Sequence, residues 1–236
     1  MYSRNKEVIQ RRRKREKDQR IRSILEAGKK VFLSKGYLKA TMDEIALEAE
    51  ISKPTIYQYF QNKDDLYFSL MVPVIEDIGK QAQKIEKKLM AGRYRNGANI
   101  IQDWFKAIFH SYEIAPDVFR IIQQFQQTGL VAKLNEETRS ALNEKGRYNF
   151  EIFRRITEMA KKQGLIKTIN PHQLVDVVWA TFVGIIQLED IKSKNKGFNK
   201  YLRPTMRLAE NLIVEAIAAN REKRSKMREN KQFVTT

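Results

Sequence analysis

An all-α fold follows from two features of the sequence pattern. Through the middle of the chain the apolar residues recur every three to four positions, the period of an amphipathic helix, and nowhere alternate long enough to line one face of a strand. No Asn-Gly or Asp-Gly turn joins two alternating runs. The 236 residues, 42% of them hydrophobic, suffice for a substantial core in one large or two small domains.

The first helix is expected over about 19–35, with Ile21, Ile24, Leu25, Val31 and Phe32 turned inward and Gly36 ending it. Thr41, followed three residues on by Glu44, forms a capping pair that starts a short helix reaching about residue 49. Ser52 caps the next helix, which ends near Phe60; Pro54 lies in its first turn, where a missing amide loses no intrahelical bond. A long helix begins near Lys63 and carries Leu66, Leu70, Met71, Val74, Ile78, Ala82, Ile85 and Leu89 on one stripe. Pro73 lies inside it and is expected to kink it, because the carbonyl of Ser69 loses its donor. Further helices are expected over about 99–114, 116–128, 135–163 and 171–192, and from 201 to beyond 219.

Charge is concentrated at the ends. Lys and Arg number 45 against 28 Asp and Glu, a net of +17 that favours a polyanionic partner, nucleic acid or an anionic membrane surface. Residues 1–22 hold ten basic side chains against three acidic ones, and residues 220–236 hold six against two. Ends this charged and this poor in apolar residues are expected to be mobile. The absence of cysteine excludes disulfides, thiolate metal sites and a cysteine nucleophile, and fits a reducing cytoplasm. The longest uncharged apolar stretch, 177–188, falls short of the ~18 residues a membrane helix needs, and no apolar h-region follows the basic N-terminus.

The catalytic inventory is thin. His110 and His172 have no neighbouring pattern of metal ligands and read as solvated histidines. Gly92 and Gly97 have the spacing of a phosphate loop, but Ala98 and Asn99 stand where Lys and Ser or Thr would hold phosphates and magnesium. No pair of glycines has dinucleotide-fingerprint spacing. The expectation is a protein that is not an enzyme and has neither metal nor cofactor.

Segment 41–63 carries a different signal. Two short helices joined by Glu50-Ile51-Ser52 make a helix-turn-helix, with Ile45, Ala46, Ile51 and Ile56 as its small core. Lys53, Thr55, Tyr57, Gln58 and Tyr59 face outward on the second helix, side chains able to reach base edges and phosphates. The adjacent basic N-terminus adds to that reading.

The run from Ile24 to Lys63 contains Ala27, Phe32, Lys35-Gly36-Tyr37, Thr41, Ile45-Ala46, Ala49, Ile51-Ser52-Lys53-Pro54-Thr55-Ile56-Tyr57, Tyr59-Phe60 and Asn62-Lys63. It resembles the DNA-binding domain of TetR-family transcriptional regulators. The resemblance implies an N-terminal three-helix helix-turn-helix domain followed by a helical ligand-binding and dimerisation domain. In segments, it implies a basic flexible arm at 1–18, DNA reading at 19–65, ligand binding and dimerisation at 66–220, and a basic tail at 221–236. Carried over by position, Lys53, Pro54, Thr55 and Gln58 would face bases, while Thr41, Tyr57, Tyr59 and Lys63 would hold phosphates. Arg11, Arg12, Arg13, Lys14 and Arg15 would form an arm along the minor groove. Where the family usually has glycine in the turn this chain has Glu50; a positive φ there would cost about 1 kcal/mol.

For the second half, the resemblance implies an effector pocket, expected among Trp104, Phe105, Ile108, Tyr112, Phe119, Phe125, Asn149, Phe153 and Trp179, and suited to an apolar or amphipathic ligand. It also implies a four-helix dimer interface with Val177, Ala180, Gly184, Ile213 and Ile217; the helix over 171–192 is apolar on almost every side and is expected to be buried on two faces. The expected function is a homodimeric repressor released from palindromic double-stranded DNA by a small molecule, with Pro73 as the point of flexure. A nucleoid-associated structural protein, binding DNA by charge and without an effector, is the alternative.

Overall fold

The structure is a computed structural model that describes residues 2–127, 129, 132, 134–192 and 200–218. The described residues form helices α1 (Tyr2–Lys39), α2 (Met42–Glu48), α3 (Lys53–Tyr57), α4 (Lys63–Met90), α5 (Gly97–Ile114), α6 (Pro116–Gln127), α7 (Glu136–Lys162), α8 (Pro171–Lys192) and α9 (Leu202–Ile217). No strand occurs among them; one isolated bridge pairs Ile166 with Ala218. The all-α expectation holds. No described helix is long and apolar enough to cross a membrane. The basic tail expected at 221–236 and the side chain of Phe125 lie outside the described residues.

Three helix ends differ from expectation. α1 begins at Tyr2, so the segment expected as a mobile arm is helical. Neither Pro nor Gly interrupts it before Gly28, Arg, Lys, Glu and Gln are good helix formers, and Arg12 pairs with Glu16 one turn on at 2.8 Å. The helix breaks at Gly36, whose φ of 73° and ψ of 163° suit glycine alone. α3 ends at Tyr57, not near Phe60, and α9 ends at Ile217, where Ala218 turns extended and pairs with Ile166. α4 runs through Pro73 as one helix.

The chain divides into two compact units, Met1–Glu76 with Tyr112–Gly146 and Asp77–Ser111 with Arg147–Thr236. This division differs from a cut at 65/66 for a packing reason. Leu66, Tyr67, Leu70 and Met71 of α4, Ile121 of α6, and Leu134 share one buried cluster with Ile24, Phe32, Ile45 and Ile56. The Tyr67 hydroxyl donates to the Ile121 carbonyl at 2.9 Å, and the Asn135 amide donates to Asp64 at 2.9 Å, capping that end of the unit.

The second unit is built on the later turns of α4, on α5, the later turns of α7, α8 and α9. Trp104 and Phe153 stack at 4.4 Å with their rings 6° apart. Arg155 grips Glu86 with two nitrogens at 2.7 and 3.2 Å. Gly97 opens α5 because a Cβ there would lie 2.3 Å from the Leu165 carbonyl oxygen; close backbone approach, not phosphate binding, explains this glycine. α8 buries Leu174, Val175, Val178, Phe182 and Ile186 on one side only, so burial on two faces is not what one chain provides.

Candidate nucleic-acid interface

Thr41 accepts from the Glu44 amide at 3.2 Å while the Glu44 carboxylate accepts from the Thr41 amide at 3.1 Å, a reciprocal cap that fixes where α2 starts. The Lys35 ammonium beside it, together with the Thr41 amide, holds the Glu44 carboxyl below its usual range. Lys35 and, at 2.9 Å, Lys30 to Glu48 tie α2 back to α1.

Between α2 and α3 the chain reverses in three residues. Ala49 caps α2, Glu50 takes φ 54°, and the Ile51 amide donates to the Ala46 carbonyl at 3.0 Å. Glu50 is the only non-glycine with positive φ among the described residues, so the turn demands the left-handed conformation expected of it. Ser52 then caps α3, its hydroxyl 3.4 Å from the Thr55 amide and 2.7 Å from the Thr55 hydroxyl. Ile56 and Phe60 turn inward and are fully buried.

What remains on the outer face is Lys53, Pro54, Tyr57 and Gln58, all exposed, with Thr55 and Tyr59 half-buried between them. Lys53 pairs with Asp43 at 2.9 Å, both side chains being about 60% exposed, so solvent and salt screen the pair and a phosphate can replace the carboxylate. Thr41, the N-cap of α2, is exposed as well.

Lys63 is placed differently from its expected partners. Its ammonium donates to the Tyr37 and Ala40 carbonyls at 2.8 and 2.9 Å and lies 4.5 Å over the Tyr37 ring, and burial lowers its pKa. It closes the chain between Gly36 and Thr41. The Tyr37 hydroxyl donates to Asp64, which also accepts from Asn135; burial first, then Asp64, raises the Tyr37 pKa. This knot was missed in the sequence, where Asp64 and Asn135, two of its bonded members, lie 71 positions apart.

Arg11, Arg12, Arg13, Lys14 and Arg15 are exposed on α1. A helix with side chains is about 10–12 Å across and the minor groove about 6 Å wide, so these residues cannot lie in that groove as an extended arm. Along the helix they present a run of exposed positive charge.

The residues expected around an effector fall in two sets. Trp104, Phe105, Ile108, Asn149 and Phe153 are buried in the second unit, with Trp179 half-buried against Phe150; Tyr112 and Phe119 pack edge to face at 5.6 Å in the first. Asn149 lies against Gly79, where a Cβ would come 2.5 Å from its Oδ1. Of the residues expected at a dimer interface, Val177, Ala180 and Gly184 are exposed on α8 and Ile213 is half-buried on α9. Ile217 is a correction: it is 5% exposed, and its carbonyl accepts from the Lys167 amide, so it belongs to the core of its own chain. The exposed apolar residues of α9 are Leu208 and Leu212, and Leu188 and Ile191 extend the α8 stripe. Among the described residues no cluster of three or more acidic or histidine side chains could hold a metal ion.

Residues 24–70 match the family described as bacterial regulatory proteins, tetR family. The chain is 32% identical over 94 residues to the HTH-type transcriptional activator FasR of Mycolicibacterium smegmatis, a match spanning 40% of this chain and 42% of that one. Its fold is similar to that of the TetR family transcriptional regulator PfmR from Thermus thermophilus, with TM-score 0.66 and 17% identity over 81% of this chain and 97% of the other. It is also similar to that of the transcriptional regulator FadR from Bacillus subtilis in complex with stearoyl-CoA, with TM-score 0.57 and 18% identity over 79% and 96%. Residues 24–70 are thus similar to bacterial regulatory proteins of the tetR family, and the chain spans less than half the length of the FasR relative it matches.

Proposed function

We propose that this protein is a homodimeric repressor that reads a palindromic DNA operator through α3 and leaves it when a small apolar or amphipathic ligand binds. The observation that carries the DNA-reading half is the doubly capped helix-turn-helix with Lys53, Pro54, Tyr57 and Gln58 on its outer face. Lys53, Pro54, Thr55 and Gln58 face base edges; Thr41, Tyr57 and Tyr59 hold phosphates, and Lys63 positions the motif from behind. Residues 19–65 do the reading, 66–220 bind ligand and dimerise, and the basic stretch of α1 adds affinity without sequence preference.

The dimer is supported by the apolar stripe of Val177, Ala180, Gly184, Leu188 and Ile191 on α8, beside Leu208 and Leu212 on α9, which one chain leaves in water. A two-fold homodimer presents α3 twice, and a pair of such helices reading successive turns of DNA, about 34–36 Å apart, calls for a palindromic operator. The stearoyl-CoA bound to the Bacillus FadR supports an amphipathic effector class. Release requires the ligand to bind the DNA-incompetent state more tightly, since equal affinity for both states shifts nothing.

Selection of binding sites from random duplex DNA by the purified protein, at near-physiological salt, tests this reading. Enrichment of a two-fold palindrome is the expected result. Retention without sequence enrichment overturns it in favour of a charge-driven structural DNA-binding protein.

A further inference from the structure

Helices α5 and α9, both in the second unit, leave between them a groove of about 450 Å³, a size suited to a small organic ligand. Its floor is apolar, made by Phe105 and Met206, both buried, and Phe109. Its rim is cationic. Lys106 and Arg207 are exposed at its edges, and the Arg203 guanidinium lies 5.3 Å over the Phe109 ring, so one cation is already drawn to the aromatic floor.

The acidic residue in this lining is Glu210. Burial raises its pKa, against the opposing pull of Lys106 and Arg207. The groove therefore holds three cations against one carboxylate. A cationic ligand would be repelled by this rim, and a neutral one would cover the floor without meeting the rim's charge. A chain ending in an anion satisfies both the floor and the rim.

We infer that the α5–α9 groove binds an amphipathic anion, its hydrocarbon chain over Phe105, Phe109 and Met206 and its carboxylate or phosphate between Arg203 and Arg207. None of the aromatics expected around an effector, apart from Phe105, contributes to this groove. The site stands independently of the DNA-reading motif.

Calorimetric titration of the full chain with decanoate, decyl phosphate, decanol and decyltrimethylammonium, each below its micelle concentration, tests the inference. Both anions are expected to bind one per chain, the tighter of the two identifying the headgroup. Decanol is expected to bind at least about tenfold more weakly and the ammonium compound not at all. The double substitution Arg203→Ala with Arg207→Ala should weaken both anions about tenfold or more, and Arg203→Lys with Arg207→Lys should recover most of that loss. Both arginines are exposed, so the variant should keep the parent's helical circular dichroism spectrum and lose at most a little stability from the Arg203–Phe109 contact. Equal binding of decanol and the anions, unchanged anion affinity in the alanine variant, or no anion binding at all would each overturn the inference. A protein that binds decanoate in this groove but retains no DNA sinks the regulator reading alone; one that enriches a palindrome but binds neither anion sinks the groove alone.

Discussion

The Lys63 ammonium lies 2.8 Å from the Tyr37 carbonyl oxygen, and this contact makes Lys63 part of the support of the DNA-reading motif. A lysine that donates to two carbonyls and covers an aromatic ring has little reach left for a phosphate. Lys63→Met, which keeps the stem but not the donors, should lower stability by about 1–2 kcal/mol in urea unfolding, by leaving two carbonyls short of a partner. The salt dependence of DNA binding should keep its slope. A slope reduced by about one, with stability unchanged, would return Lys63 to the phosphate-contacting set.

Glu50 at φ 54° makes a second, opposite prediction. Glu50→Gly removes the left-handed strain and should raise unfolding stability by about 0.5–1 kcal/mol, the gain being trimmed by the extra freedom of glycine in the unfolded chain. In the proposed reading this turn faces DNA, so loss of its carboxylate should raise affinity for duplex modestly. A chemical denaturation series on the two proteins checks the first effect, and fluorescence anisotropy at fixed salt the second.

The helical state of the basic N-terminus is tested by proline. Lys14→Pro removes the amide that bonds the Gln10 carbonyl and pushes Arg13 out of the helical region, at a local cost of about 3 kcal/mol. If α1 presents its cations as a helix, affinity should fall for all duplexes together and the salt slope should flatten. An extended arm would tolerate the proline, leaving affinity and slope as they were.

Beyond residue 18 helix existence was legible, because periodicity and caps are local: the Thr41–Glu44 and Ser52–Thr55 caps lie where the residues placed them; the first turns of α1 carry charge without an apolar period and were not legible. The positive φ at Glu50 was raised only by the resemblance, which usually has glycine at that place in the turn. Ends set by distant partners were not. α9 stops because Ala218 pairs with Ile166 and the Ile217 carbonyl takes the Lys167 amide, contacts no window around Ile217 reveals. The contacts of Lys63 were hidden for a related reason: a lysine at a helix start reads as a phosphate ligand, and the Tyr37 and Ala40 carbonyls beneath it lie more than twenty positions away.

Gly97 illustrates the same limit and yields a stability prediction. Its missing Cβ would sit 2.3 Å from a backbone oxygen of Leu165, which cannot swing aside as a side chain can. Gly97→Ala should therefore destabilise by about 3 kcal/mol or more, despite the better helix propensity of alanine. At Gly92 a Cβ meets nothing, and only its φ of 64° resists substitution. Gly92→Ala should cost about 1–2 kcal/mol, and thermal unfolding of the pair should rank them in that order.

The exposed stripe on α8 and α9 separates dimerisation from DNA contact. Leu208 and Leu212 are 59% and 58% exposed, one turn apart on α9, and they make no part of the single-chain core. Leu208→Asp with Leu212→Asp places two carboxylates where a symmetric partner would bring two more, so like charges meet across the axis and neither can be hydrated. Sedimentation equilibrium should show a dimer for the parent and a monomer for the variant, with helical content unchanged. The monomer should still bind DNA through Lys53, Tyr57 and Gln58, but with the affinity of one half-site and no preference for a palindrome. If the variant remains dimeric, the interface lies elsewhere on the chain, and the spacing argument for the operator must be rebuilt on that other face.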